Sequence, residues 1–372
     1  MGEGNMWSAI QSVLKQIDDF VWGVPLMVLI LSGGLLLTVR LGLLQVRKLG
    51  LALKWMVQNE EEGEGEISSF AALCTALSAT IGTGNIVGVA TAVCAGGPGA
   101  LFWMIMAAFL GMATKYSEGL LAVKYRVVDE SGHSLGGPFY YIEKGMGKNW
   151  KWLAKIFAFF GACVGLFGIG TFSQVNGIAS AINGFFDPDN AHCVKILPFL
   201  GEYSWSVVIA SLILTVCVAA VLIGGVKRIA SVSQIVVPFM AILYFAFAVI
   251  LIICNITEIP AAIKVIVTAA FTPKAVTGGA VGSMFVAMQK GVARGIFSNE
   301  AGLGSAPIAA AAAQTKEPVR QGLVSMTGTF IDTIVICTLT GLSIVLTGAW
   351  QVEGLEGVEV TTYAYQQGLP FP

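Results

Sequence analysis

"SATIGTGNIVG", residues 78–88, interrupts two apolar segments that would otherwise form one continuous membrane helix. Gly82 and Gly84 each weaken the preference for helix by roughly 1 kcal/mol. Backbone at membrane depth must satisfy its hydrogen bonds, so irregular backbone occurs there only where it is buried in protein or lines a polar cavity. We therefore predict that the chain is unwound over residues 81–85 and that the interruption forms a binding site.

The two ends of such an interruption favour opposite charges. The carbonyl groups that end the first half-helix carry negative dipole and suit a hard cation, whereas the free N–H groups that open the second suit a carboxylate. The alternative interpretation is close helix packing through Gly84 and Gly88, which would not explain the polar residues beside them. The predicted cation-binding residues are Thr80, Ile81, Thr83 and Asn85.

Composition places the chain in the membrane. Of its 372 residues, 56% are hydrophobic and 12% are charged, against about 25% charged in soluble domains. The net charge of -1 gives no basic excess for nucleic acid. His133 and His192 are the only histidines, which disfavours a histidine metal site or a Ser/His hydrolase. We predict no enzyme activity and no metal other than a transported cation.

Eight apolar spans are predicted, of which the first is an extra N-terminal helix. Under an N-terminus-out topology, inside loops hold fifteen Lys and Arg and outside segments four, as the positive-inside rule requires. We therefore expect a multi-pass protein of the cytoplasmic membrane with its N-terminus outside. The spans are 20–39, 67–95, 98–123, 152–184, 204–224, 230–254, 279–298 and 321–348.

The order of these spans indicates an inverted repeat. A second irregular region, residues 256–280, precedes the span at 279–298, and the two irregular regions begin their helix groups in opposite orientations. The predicted fold is an all-α polytopic membrane protein. Its expected parts are an N-terminal helix and linker over 1–66, a five-helix repeat over 67–255, and a partial second repeat over 256–372.

Four sequence blocks then resemble one family. "TIGTGNIVGVA" (80–90), "GGPGALFWMIMAAFLG" (96–111), "GGPFYYIEKG" (136–145) and "GVARGIFSNEAGLGSAP" (291–307) are similar to the alanine or glycine:cation symporters. The match follows chain order over nearly the whole sequence. Ile105 departs from it, since a second Trp is expected there. The resemblance implies a LeuT-type core of ten helices plus an extra N-terminal helix. This chain would lack about three C-terminal helices and, alone, would not transport.

That resemblance also implies a function and a site. The expected activity is symport of Na+ with alanine or glycine by alternating access, with no cofactor beyond Na+ as coupling ion and the lipid bilayer as surroundings. A second interruption is expected in helix 6, at "TGGAVGSMF". The substrate contacts carried over are Thr83, Gly84, Asn85, Gln174, Gly279, Gly282, Ser283 and Met284.

Several charged residues lie inside or at the ends of the apolar spans. Lys115 and Glu118 share a helix face and are expected either to neutralise one another or to form a helix-end pair with a snorkelling lysine. Asp332 is an acid within an apolar span, which is costly and by default functional; it either binds a cation or proton or anchors a hydrogen-bond network. Arg294 and Glu300 are expected to form an intracellular gate network.

The sequence is also compatible with other functions. A proton-coupled amino-acid carrier or a nucleobase carrier of the same architecture would share the interrupted helices, and the ion dependence of uptake would separate them. A channel is less consistent with a single central site. An intramembrane enzyme has no paired acids or nucleophile set to support it.

Overall fold

The computed structural model describes residues 3–58, 60, 63–168, 170–195, 201–272 and 284–370, and these residues are mainly helical. The α-helices are α1 (Glu3–Val21), α2 (Val24–Arg40), α3 (Leu44–Arg47), α4 (Leu49–Val57), α5 (Ser69–Thr80), α6 (Val89–Gly96), α7 (Gly99–Lys124), α8 (Pro138–Gly145), α9 (Lys151–Phe167), α10 (Thr171–Phe186), α11 (Trp205–Leu222), α12 (Gly225–Cys254), α13 (Ile259–Phe271), α14 (Met284–Asn299), α15 (Ala306–Ala311), α16 (Pro318–Thr329), α17 (Thr338–Leu346) and α18 (Val358–Gly368).

Shorter elements connect these helices. Two segments are π-helical, Gly84–Gly88 and Phe330–Cys337. The 3-10 turns are Lys148–Trp150, Ile256–Glu258 and Ala349–Gln351. Strand β1 (Val127–Val128) pairs antiparallel with β2 (Ser134–Leu135), with Val127 opposite Leu135. Strand β3 (Cys193–Val194) pairs antiparallel with β4 (Tyr203–Ser204), with Cys193 opposite Ser204.

Five helical segments of the described chain are long and apolar enough to cross a membrane, and the bent pair α5 and α6 would make a sixth. Helix α2, with 17 residues, and the described α14, with 16, are shorter than the roughly 20 residues of a perpendicular span. The five are Gly99–Lys124, Lys148–Phe186, Trp205–Leu222, Gly225–Cys254 and Pro318–Leu346. The chain is a multi-pass, all-α membrane protein.

The predicted span over 152–184 lies within the segment Lys148–Phe186, which contains two helices. α9 ends at Phe167 and α10 begins at Thr171. Gly168 and Gly170 take positive φ values of 61° and 88°, a conformation that only glycine adopts without strain. The hydropathy of the segment hides this interruption, because the glycines are themselves compatible with an apolar run.

The core is centred on α7, which packs against α14 and α16. Small residues allow the close approach: a Cβ on Gly291 of α14 would overlap the carbonyl O of Ala100, and one on Gly322 of α16 would lie 2.7 Å from the carbonyl O of Tyr116. Close contacts through small residues drive helix association in lipid. The buried side chains of Leu101 and Met104 fill the space between the helices. This rigid packing positions the site described next.

Candidate cation and substrate site

The first interruption lies between α5 and the π-helical segment 84–88. The Ser68 side chain caps α5 by accepting from the N–H of Ala71. Only Ile81 and Gly82 are non-helical, and the axes on either side differ by 53°. The prediction of an unwound segment over 81–85 is therefore too long. The chain re-enters helix at once because Gly82 donates to Asn85 Oδ1 (2.7 Å) and Asn85 N donates to the Gly82 carbonyl (3.2 Å).

This turn also changes which donors are free. The N–H of Asn85, expected to be available to a carboxylate, is used within the turn. The N–H and hydroxyl of Thr83 both donate to Gln174 Oε1, at 3.0 and 3.1 Å. A side-chain carbonyl oxygen of α10 thus accepts from the donors at the start of the second half-helix. The structure brings Gln174 to the first interruption, 91 positions away in sequence.

A buried polar cluster lies on the other side of Asn85. Asp332 has 0% exposure and Asn85 has 1%. Asn85 Nδ2 donates to Asp332 Oδ1 at 2.7 Å, while the hydroxyls of Ser298 and Thr333 donate to Oδ2 at 2.9 and 2.6 Å. Asn85 Nδ2 also lies 3.3 Å from the Cys337 sulfur. The cluster joins the first interruption to α14 and to the π-helical segment 330–337, and π-helical turns are frequent at functional sites.

Electrostatics distinguishes Asp332 from an ordinary structural acid. No ion pair joins its carboxylate to a Lys, Arg or His within the part of the chain that the structure describes. A buried carboxylate without a cation is costly unless a cation or a proton neutralises it. Three donors satisfy the carboxylate in this structure: the Asn85 amide N–H and the Ser298 and Thr333 hydroxyls. The Asp332 carboxylate and the two hydroxyls also supply the oxygen ligands that hard cations prefer.

Helix 6 carries an interruption that the sequence did not predict, whereas the predicted one at residues 277–285 lies mostly outside the described residues. α14 ends at Asn299, α15 begins at Ala306, and between them Glu300, Gly302 and Gly304 take positive φ values of 54°, 91° and 80°. The predicted contacts Gly279, Gly282 and Ser283 lie outside the described residues. Met284 is the first residue of α14 and 41% exposed. It is 14 helical residues from Ser298, or about 21 Å at 1.5 Å per residue, so the structure does not bring it to Asn85.

A cavity of about 470 Å³ opens beside the first interruption. Thr83 and Gly84 form part of its wall, and α10 contributes Ser173 and Asn176. Arg294 also faces it, with its guanidinium 5.9 Å from the Phe297 ring centre. Glu300, by contrast, accepts from the Ser305 hydroxyl. The two residues expected to form one gate therefore contact different surroundings.

The other predicted cation-binding residues, Thr80 and Ile81, are buried at the end of α5. Thr80 is 6% exposed and its hydroxyl donates to the Leu77 carbonyl at 3.4 Å, while Ile81 is 7% exposed. Neither side chain contacts Asp332 through a hydrogen bond in the described chain. The packing alternative requires neither glycine: a Cβ on Gly84 would make an ordinary contact 3.6 Å from Ser298 Cα, and one on Gly88 would meet nothing closer than 4.0 Å.

Several residues of the site were not selected from the sequence. Ser298 and Thr333 contact Asp332, and Asn299 Nδ2 donates to Thr333 Oγ1 at 3.0 Å. The available signal was the glycine pair Gly302 and Gly304 directly after a helix, which is typical of a helix end. The interruption that the sequence analysis placed in helix 6 came instead from the family resemblance, at residues 277–285.

The fold and the site together define a polytopic membrane transporter with two interrupted helices. Sequence comparison is more specific: the sodium:alanine symporter family matches residues 7–371. The chain belongs to the sodium:alanine symporter family, whose members are transporters and not enzymes.

Three relatives are similar to this chain over most of its length. An uncharacterized transporter of Haemophilus influenzae is 57% identical over 361 residues, covering 97% of this chain and 75% of its own length. The sodium/alanine symporter AgcS of Methanococcus maripaludis is 46% identical, covering 96% of this chain and 76% of its own length. The probable sodium/glutamine symporter GlnT of Bacillus subtilis is 40% identical, covering 95% of this chain and 70% of its own length.

Proposed function

We propose that this protein carries out sodium-coupled symport of small neutral amino acids, alanine or glycine, across the cytoplasmic membrane. The observation that carries the proposal is the carboxylate of Asp332, which is fully buried, lacks a cationic partner among the described residues and contacts the interrupted helix through Asn85. Na+ is the proposed occupant because the Asp332 carboxylate and the Ser298 and Thr333 hydroxyls supply oxygen ligands.

The proposed architecture is the LeuT-type inverted repeat, with α5 and α6 opening the first repeat and α14 and α15 opening the second. Its support is that the two interrupted helices meet: Asn85 Nδ2 donates to Ser298 Oγ at 3.2 Å across 213 positions. The site would be reached from alternate sides as the two repeats move relative to one another. The N-terminus-out orientation is part of the same proposal and rests on the Lys and Arg distribution.

The proposed substrate site lies where Thr83 and Gly84 face the cavity. An amino acid is a zwitterion, so its carboxylate needs donors and its ammonium needs acceptors. The N–H and hydroxyl of Thr83 are oriented toward one oxygen position, which Gln174 Oε1 fills in this structure. We propose that the substrate carboxylate takes this position when Gln174 turns away. The names of AgcS and GlnT support an amino-acid substrate, and the small residues at the interruption support a small side chain.

The test is uptake of radiolabelled alanine and glycine into liposomes containing the purified protein, with and without an inward sodium gradient. The 372-residue chain is measured in two forms. One is the chain alone, and the other is extended with the C-terminal segment of the Methanococcus maripaludis relative, because the chain spans 76% of that relative's length. Accumulation driven by Na+ in either form supports the proposal. Accumulation driven only by a proton gradient would replace Na+ as the coupling ion. If neither gradient drives alanine or glycine in either form, the proposal fails.

A further inference from the structure

Two buried charges on α7 lie outside the proposed site. Lys115 is 4% exposed and Glu118 is 8% exposed, yet in the described chain they form no ion pair with each other. Both reach the second interruption instead: Lys115 Nζ donates to the Asn299 carbonyl at 2.8 Å, and the Gly302 N–H donates to Glu118 Oε1 at 3.2 Å. Helix α7 therefore holds the chain at the point where α14 ends.

Lys115 also faces the end of the first half-helix. It lines a small internal cavity of about 20 Å³ together with Thr80, the last residue of α5, and Gln321 of α16. Gln321 is 1% exposed and its Oε1 accepts no hydrogen bond among the described residues. A cavity of this size holds one water, which can accept from the ammonium and donate to Gln321. The ammonium thus lies near the C-terminal ends of α5 and α14, where helix dipoles favour a cation.

A chain of hydrogen bonds leads from Lys115 to the buried acid. Asn299, whose carbonyl accepts from Lys115, donates through Nδ2 to Thr333 Oγ1 at 3.0 Å. Thr333 Oγ1 in turn donates to Asp332 Oδ2 at 2.6 Å. Asn299 is 3% exposed and Thr333 is 0% exposed, so water does not compete for these bonds. Each link fixes the orientation of the next.

We propose that the Lys115 ammonium is a tethered cation that holds the ends of the two interrupted helices together and, through Asn299 and Thr333, positions Asp332 for the coupling ion. This inference rests on the proposed function. Lys115 is a positioning residue, because in the structure it contacts neither Asp332 nor the cavity beside Thr83. The reason for a lysine here is physical: a mobile ion at this position would leave during transport, whereas a side chain stays.

The first experiment measures the sodium concentration for half-maximal thermal stabilisation of the purified protein, for wild type, Lys115→Met and Lys115→Arg. Loss of a buried charge-assisted hydrogen bond should raise that concentration about tenfold in Lys115→Met, with partial recovery in Lys115→Arg. Lys290→Met is the matched control, since Lys290 is an exposed lysine on α14, and it should leave the sodium midpoint unchanged. A sodium midpoint in Lys115→Met equal to that of the control overturns the inference.

A double-mutant cycle tests the connection itself. Thr333→Val removes the hydroxyl that links Asn299 to Asp332 while keeping the side-chain shape. If Lys115 acts through this hydroxyl, the double variant should bind sodium no more weakly than the weaker single variant. Multiplicative effects overturn the inference. A lower melting temperature with an unchanged sodium midpoint would show a structural role only and would overturn it as well.

The two proposals fail in different ways. If sodium does not stabilise the wild-type protein at any concentration, and no sodium-driven uptake is found, the proposed function fails. If the wild type responds to sodium and the Lys115 variants have the same sodium midpoint as the Lys290→Met control, the tethered-cation inference fails and the proposed function stands. If Lys115→Met does not fold, Lys115→Ala is prepared with and without ethylammonium. Restored folding and a restored sodium response support the tethered cation. If neither Lys115→Arg nor ethylammonium restores them, the inference is overturned.

Discussion

The two helix interruptions differ in what surrounds them. Directly after Ile81 and Gly82, the residues Thr83 and Gly84 face a cavity, and the donors of Thr83 are held by the side chain of Gln174. At residues 300–305 the chain packs against α7, and its polar groups are held by Lys115 and Glu118. Under the proposed function, the first interruption exchanges its ligand, whereas the second stays fixed against α7.

Their meeting point should be the most sensitive position in the molecule. Asp332→Asn keeps the size of the side chain but removes the charge that the proposed cation requires. We expect sodium-driven alanine uptake to fall at least about 100-fold, since breaking a buried charge interaction costs about 3–5 kcal/mol. Asp189→Asn, on an exposed loop, is the control. Full uptake by Asp332→Asn would show that the coupling cation does not bind at Asp332.

The exchangeable interruption predicts a second effect. In Gly82→Ala the new Cβ would lie 2.5 Å from Gln174 Oε1, so the glutamine must move and lose its two bonds from Thr83. We expect the alanine KM to change about tenfold, from two hydrogen bonds of about 0.5–1.5 kcal/mol each. Gly88→Ala, which meets nothing closer than 4.0 Å, should be neutral in KM. Equal KM values for both variants would show that Gln174 does not control the site.

The fixed interruption predicts a loss of stability. Gly302 has φ of 91° and an added Cβ would meet nothing closer than 3.7 Å, so backbone strain alone opposes a side chain. We expect Gly302→Ala to lower the free energy of unfolding by about 1–2 kcal/mol, read as a lower melting temperature. Gly161→Ala, within α9 and without neighbours at 4 Å, should not lower it. A stable Gly302→Ala would mean that this segment can rearrange.

The smallest expected effect lies in the loops. His133 Nδ1 lies 3.0 Å from Glu66 Oε2, and this contact raises the pKa of His133 and lowers the pKa of Glu66. The histidine contribution is complete below its ordinary pKa of 6.5 and is lost as pH rises through the raised value; the glutamate contribution is complete above 4.5 and is lost as pH falls through the lowered value. Both are present between pH 4.5 and 6.5.

Hydrogen exchange of residues 63–67 is the measurement for this contact. Exchange should be slower at about pH 5.5 than at about pH 8.5, after correction for the intrinsic rate. His133→Gln should remove the difference. If the corrected protection is the same at both pH values in the wild-type protein, the contact does not hold the linker.

The first interruption could be predicted because its cause is local. Glycine, threonine and asparagine between apolar segments weaken helix wherever they occur, so the position was found, although its length was overestimated. The return to helix at Thr83 depends on the Asn85 side chain accepting from Gly82, a geometry that composition does not reveal. The interruption predicted at residues 277–285 lies mostly outside the described residues and stays a prediction, whereas the one at residues 300–305 was not predicted.

By itself the sequence determined the membrane class, the helical architecture, the first interruption and, through its motif blocks, the symporter family. Hydropathy, glycine content and motif order are properties of neighbouring residues, which is why they can be read along the chain. Only the tertiary structure decided that Asp332 meets Asn85 across 247 positions and that Lys115 faces the ends of both half-helices. Those contacts exist because α7, α14 and the segment 330–337 pack together, and packing brings together residues that no local pattern connects.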